Sequence, residues 1–90
     1  MRVAVICRDN PGSLSIRLAH RTAHLAHIET SGVVEQAGPF LDSAGEMCGS
    51  LLILSVDSMA EAEAWAAADP YRTAGLFADV TLTTWKKVIG

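Results

Sequence analysis

Residues 1–8 are mostly apolar and rich in β-branched side chains around Val3, Val5 and Ile6, which predicts a first strand. Asp9-Asn10-Pro11-Gly12-Ser13 is turn chemistry, and Pro11 also suits the first turn of a helix. Over residues 13–31, Leu14, Leu18, Leu25 and Ile28 recur at helical spacing and the segment closes at Gly32, so a helix is expected. Residues 33–41 return to strand character, interrupted near their end by Gly38-Pro39, and residues 42–45 form a hairpin-type connection. Residues 49–56 make the strongest strand signal in the chain. Ser58-Met59-Ala60-Glu61 is a capping box, opening an alanine-rich helix that runs to about Asp69, where Pro70 prevents its continuation. Residues 71–75 read as a turn or a single helical turn, and residues 77–89, with Val80, Leu82, Thr84 and Trp85, as the last strand.

The order is β-α-β-β-α-β. Its natural packing is α+β and ferredoxin-like, with two helices on one face of a four-stranded antiparallel sheet. Strand periodicity then adds an oligomer. Leu52, Leu54 and Val56 point to one face, and Leu51 and Ile53 to the other. Helices cover one face only, so a second copy of the sheet is the expected cover of the other, making a homodimer.

Composition points the same way. Ninety residues allow a single domain, 1–90, yet half of them are apolar and only 19% are charged, against about 25% in ordinary domains. That is more apolar material than one small core needs, and it excludes disorder. The net charge of −3 and the scattering of the seven Lys and Arg argue against a nucleic-acid partner. No apolar run approaches the roughly 20 residues that span a bilayer, so no membrane partner is expected. Residues 1–8 are too short for a signal peptide, and Cys7 and Cys48 lack metal-finger or CxxC spacing. Free thiols and a cytoplasmic location are therefore expected.

Candidate chemistry begins on the first helix. His20, His24 and His27 share one side, but three ligands on successive turns of one helix rarely converge on an ion, and no metal is expected. His20 and His27 read as solvated surface residues. His24 lies at the rim of the leucine stripe, where an imidazole is both desolvated and reachable. Arg21 falls inside the stripe and must snorkel out, pair with a carboxylate or bind an anion. Asp69 ends the second helix, where the macrodipole disfavours an anion, on the side shared by Ala62, Trp65 and Ala66. It can equally cap a short following helix that begins with Pro70. Gly38-Pro39 and Gly49-Ser50 suggest close backbone approaches, and the Ser50 hydroxyl is free to bind a ligand.

Arg21-Thr22-Ala23-His24-Leu25, Ala37-Gly38-Pro39, Gly49-Ser50, Ala68-Asp69-Pro70-Tyr71 and Ala74-Gly75 together resemble the YciI-like proteins, in order and across essentially the whole chain. The resemblance implies a fold similar to the dimeric α+β barrels, whose relatives include muconolactone isomerase-like enzymes and small monooxygenases. It also implies a His–Asp pair, here His24 and Asp69, in a pocket that Arg21, Gly38, Pro39, Ser50 and Tyr71 line or shape. Thr22 stands where family members commonly have proline, which bears on helix geometry and pocket shape. The activity implied resembles lyase chemistry on small ring compounds, including dehydrochlorination.

The reading that joins both lines is a cofactor-independent lyase or isomerase acting on a small cyclic or carbonyl compound. His24 would act as general base or acid, oriented by Asp69, with Arg21 and the Ser50 hydroxyl steadying an enolate or carboxylate. No metal, flavin or haem is called for, and nothing is Gly-rich enough for a dinucleotide. The alternative is a non-catalytic dimeric module that binds a small ligand. A cofactor-free monooxygenase ranks third.

Overall fold

The computed structural model describes residues 1–90. Seven elements follow in order: β1 (Arg2–Asp9), α1 (Leu14–Ser31), β2 (Val34–Leu41), β3 (Met47–Ser55), α2 (Met59–Ala67), α3 (Pro70–Thr73) and β4 (Phe77–Trp85). The strands make one antiparallel sheet in the order β2-β3-β1-β4, with the helices on one face. This is the ferredoxin-like α+β arrangement expected from the element order. The two strands densest in apolar side chains, β1 and β3, take the centre, where both edges are paired and one face is covered by the helices.

Cross-strand register sorts the side chains. Val3 lies opposite Leu54, Val5 opposite Leu52 and Cys7 opposite Ser50, so these six share the helix-covered face. With Val56, Ala62, Trp65 and Ala66 the apolar members form the core, each large aliphatic side chain contributing about 1.5–3 kcal/mol on full burial. The alanines let α2 approach the sheet closely, and the Trp65 indole N–H donates to the Ser31 hydroxyl at 3.0 Å, fastening α2 to α1. The opposite face presents Ala4, Ile6, Leu51, Ile53 and Phe40, apolar as the alternation predicted.

Several boundaries differ from the sequence expectation for local reasons. The sequence reading breaks the second strand at Gly38-Pro39, whereas β2 runs through both residues to Leu41; β2 is an edge strand and tolerates the missing N–H of Pro39. The last strand stops at Trp85 rather than residue 89, leaving Val88 and Ile89 exposed. The second helix stops at Ala67, two residues before Asp69. Ser58 accepts from the Glu61 N–H as a capping box requires, but the Glu61 carboxylate accepts from Asp57 N–H, one residue before the cap.

Glycine has two separate uses. Gly32 takes the left-handed conformation (φ 67°) that closes α1. Gly49 is a true close approach: a Cβ there would overlap the Cys7 carbonyl oxygen and sit 3.0 Å from the Phe40 ring. Gly38 is not, since a Cβ there would meet nothing.

The largest difference is the rotation of α1. Leu18 and Leu25 are 56% and 48% exposed, while Arg17 and His24 are buried. The packed face is turned roughly 90° from the leucine stripe, at 100° per residue. Arg21 is therefore exposed rather than buried. His27, expected in solvent, is half-buried: its ring stacks on Trp65 at 4.6 Å and its Nε2 bonds the Trp65 carbonyl at 3.0 Å. That carbonyl lies in the last turn of α2, where carbonyls lack helical partners. Thr22 is exposed, α1 continues through it unbroken, and it is not part of the cavity wall.

Candidate active site

Between α1 and the β2–β3 half of the sheet lies a cavity of about 160 Å³. A cavity of about 150 Å³ holds one benzene ring, so this one is the size of a single substituted ring. Arg21, His24, Gly38, Pro39, Ser50 and Tyr71 all line it, which brings together six of the seven residues singled out in the sequence. The seventh, Asp69, stands behind His24. Leu25, Ile28, Ala37, Met47 and Leu52 supply apolar wall.

The pair forms from two local rules. Asp69 is extended (φ −60°, ψ 123°) and caps α3, its Oδ1 accepting the Tyr71 N–H at 2.9 Å, with Pro70 in the first turn. The same Oδ1 lies 2.8 Å from His24 Nδ1, and both side chains are more than nine-tenths buried. A carboxylate oxygen only accepts, so Nδ1–H is the donor, and the lone pair of the neutral ring is the one on Nε2. The expected capping role and the contact with histidine therefore coexist on one oxygen. The His24 ring is held further by Tyr71, stacked at 3.9 Å and 15° from parallel. Tyr71 meets Phe77 edge-on at 6.0 Å, which fixes it in turn.

Arg17 lines the cavity too, and the sequence reading missed it. Its Nε and Nη2 each bond an Asp9 oxygen at 2.8 Å, a bidentate pair with both side chains at most 6% exposed. Nη2 also donates to Ser50 Oγ at 3.0 Å, and the guanidinium carbon lies 4.8 Å over the Tyr71 ring. Burial opposes the charge of Arg17, but the bonds and charge of Asp9, joined by Tyr71, outweigh it and raise the pKa. One signal in the sequence pointed there: Arg17 is seven residues before His24, two turns along the same face. Arg21, by contrast, makes no ion pair within the fold and stands as an unneutralised cation in the cavity wall.

The three histidines do not converge. His24 faces Asp69, His27 bonds Trp65 and His20 is exposed, and no group of three or more His, Cys, Asp or Glu is arranged to hold a metal ion. No helix is long and apolar enough to cross a membrane.

Two buried groups under the site titrate late. Burial, and next the charge of Asp69, push the Cys7 thiol up from an ordinary value near 9 to about 12. Burial raises the Tyr71 hydroxyl as well, against the pull of Arg17. Between pH 9 and about 12 the unfolded chain gives up the Cys7 proton that the folded chain keeps, so stability falls as pH rises. Thermal melts at pH 8, 9.5 and 10.5 are expected to decline in midpoint, with a shallower decline in Cys7→Ala. Equal declines in the two proteins would remove Cys7 as the cause.

The YCII-related domain model matches residues 1–86 of the chain. The chain is 37% identical over 97 residues to Protein YciI of Escherichia coli, spanning 98% of this chain and 99% of that protein. It is 34% identical to a Haemophilus influenzae protein over the same spans. In three dimensions it is similar to 5-chloro-2-hydroxyhydroquinone dehydrochlorinase of Burkholderia phenoliruptrix AC1100, solved in complex with 2,5-dihydroxybenzoquinone. The TM-score is 0.89, with 34% identity over 96% of this chain and 94% of that one. An antibiotic biosynthesis monooxygenase, 13% identical with a TM-score of 0.60 over 98% of each chain, shares the fold alone.

Proposed function

The chain belongs to the YCII-related domain family, and from that premise we propose that it is a cofactor-independent enzyme of the lyase or isomerase type, transferring a proton on a small cyclic or carbonyl compound. The observation that carries this reading is His24, oriented through Nδ1 by a buried carboxylate and set in the wall of a ring-sized cavity. A base held in one tautomer with its free nitrogen at such a cavity is suited to accept a proton and return it. Asp69 positions the ring and stabilises the imidazolium once it forms. Arg21 supplies positive charge where an enolate, phenolate or carboxylate would sit, and Gly38, Pro39 and Tyr71 shape the walls around a flat ring.

The structural relative supports a hydroxylated ring as the substrate class. That protein is a dehydrochlorinase of 5-chloro-2-hydroxyhydroquinone, and a dihydroxybenzoquinone occupies its complex. Loss of HCl from such a ring sends a proton to a base and releases chloride, within the means of His24. The apolar sheet face carrying Ile6, Leu51 and Ile53 supports packing of a second copy of the chain, giving a dimer that leaves the cavity on the helix side.

The test is incubation with 5-chloro-2-hydroxyhydroquinone, following chloride release and the mass of the ring product, alongside thermal shift with 2,5-dihydroxybenzoquinone. Chloride release that is lost in Asp69→Asn supports the reading. A ring compound that stabilises the fold but is recovered unchanged, with no chloride formed, overturns it in favour of a binding module.

A further inference from the structure

Ser50 sits on the central strand β3, 3% exposed, with its side chain in the cavity wall. Its one hydrogen bond in the fold is the one it accepts from Arg17 Nη2 at 3.0 Å. A hydroxyl has one proton to give, and a guanidinium has no lone pair to receive it. Arg17 therefore takes one of the oxygen's two lone pairs and keeps the proton from pointing back at the guanidinium. No acceptor within the fold takes that proton, and the side chain lines the cavity, so a ligand there is the available partner for the O–H.

We infer that Ser50 is a fixed hydrogen-bond donor that selects ligands presenting an acceptor oxygen, above all an oxyanion, and that Arg17 is the positioning residue that makes it so. The inference rests on the cavity being the ligand site, as proposed above, but not on proton transfer by His24. Two features fit this role. The Arg17 charge is already met by both Asp9 oxygens, so the ion pair acts on the ligand through a directed bond rather than as a free cation. Accepting a charge-assisted bond also polarises the hydroxyl, making it the stronger donor. The guanidinium is locked from both sides, by Asp9 along its edge and by Tyr71 across its face. The donor thus costs little reorganisation when negative charge appears on the ligand.

The consequence is discrimination by oxygen charge at constant ring size. Two probes test it: 4-nitrophenol, held above the pH at which it ionises, and nitrobenzene, the same nitro-substituted ring without the phenolate oxygen. Their dissociation constants would be measured by calorimetry or by the absorbance of the bound phenolate. Wild type is expected to bind the phenolate, and Ser50→Ala to bind it about 10–100-fold more weakly, with nitrobenzene changed less than about 2-fold. Arg17→Lys keeps a charge for Asp9 but loses the planar fork, and is expected to weaken the phenolate in the wild-type background yet not in Ser50→Ala. That non-additivity is the signature of Arg17 acting through Ser50. Purely structural damage would weaken both probes in both backgrounds.

Equal phenolate affinity in wild type and Ser50→Ala overturns the inference, as does failure of wild type to bind the phenolate. An Arg17→Lys effect that persists in Ser50→Ala overturns the positioning role. Because binding alone is read, loss of chloride-releasing activity in the earlier assay leaves this result standing, and the two readings fail separately.

Discussion

Exchanging His24 for glutamine is expected to lower kcat in the proposed proton transfer by about 10²–10⁴-fold, the range spanned by a positioned acid–base group. Glutamine is the informative replacement. Its amide N–H can still donate towards Asp69, so the buried carboxylate keeps a partner beside the Tyr71 N–H, while the amide offers no basic nitrogen to the cavity. Alanine would blur the result by emptying the space stacked on Tyr71 and stripping Asp69 of a bond, which destabilises the fold for reasons unrelated to chemistry. Steady-state kinetics on the ring substrate, set beside a thermal melt of each protein, separate the two effects. Turnover within a few-fold of wild type would remove His24 from the reaction.

Replacing Arg17 with methionine is expected to cost about 3–5 kcal/mol of stability, the largest effect of any single substitution considered. Asp9 would be left almost fully buried with its bidentate partner gone, and such a carboxylate has no compensation inside the fold. The loss should be mostly recovered in the double variant Asp9→Leu/Arg17→Met, because an apolar pair of similar volume carries no desolvation penalty. Urea denaturation of the two variants and wild type gives both numbers. A double variant as unstable as the single one would mean that packing around the guanidinium, not the charge left on Asp9, carries the stability.

Legibility from sequence divides along the same physical line. The strands were readable because their period of two and their β-branched content are local properties, and the helix ends because Gly32, Ser58 and Pro70 act on the residues beside them. His24 and Asp69 were readable as candidates, and the residues singled out include six of the twelve that line the cavity. The face of α1 was not. A stripe of leucines is the ordinary sign of burial, and here Leu18 and Leu25 stay exposed while Arg17, His24 and His27 turn inward. Each of these polar side chains meets a partner far along the chain or in another element: Asp9 at the end of β1, Asp69 before α3, and the last turn of α2. A buried polar group is affordable only when paired, and pairing is invisible until the partners are placed.

By itself, then, the sequence determined the order of the elements, the antiparallel sheet with an apolar second face, and the small set of residues from which a site could be built. Only the tertiary structure decided how α1 is rotated, that Asp69 serves His24 and the α3 cap through one oxygen, and that Arg17 donates a hydrogen bond to Ser50. The reason is range. Hydrophobic period and capping act over a few residues, whereas these contacts join residues 33 and 45 positions apart. Their geometry exists only after the sheet has brought the distant segments together.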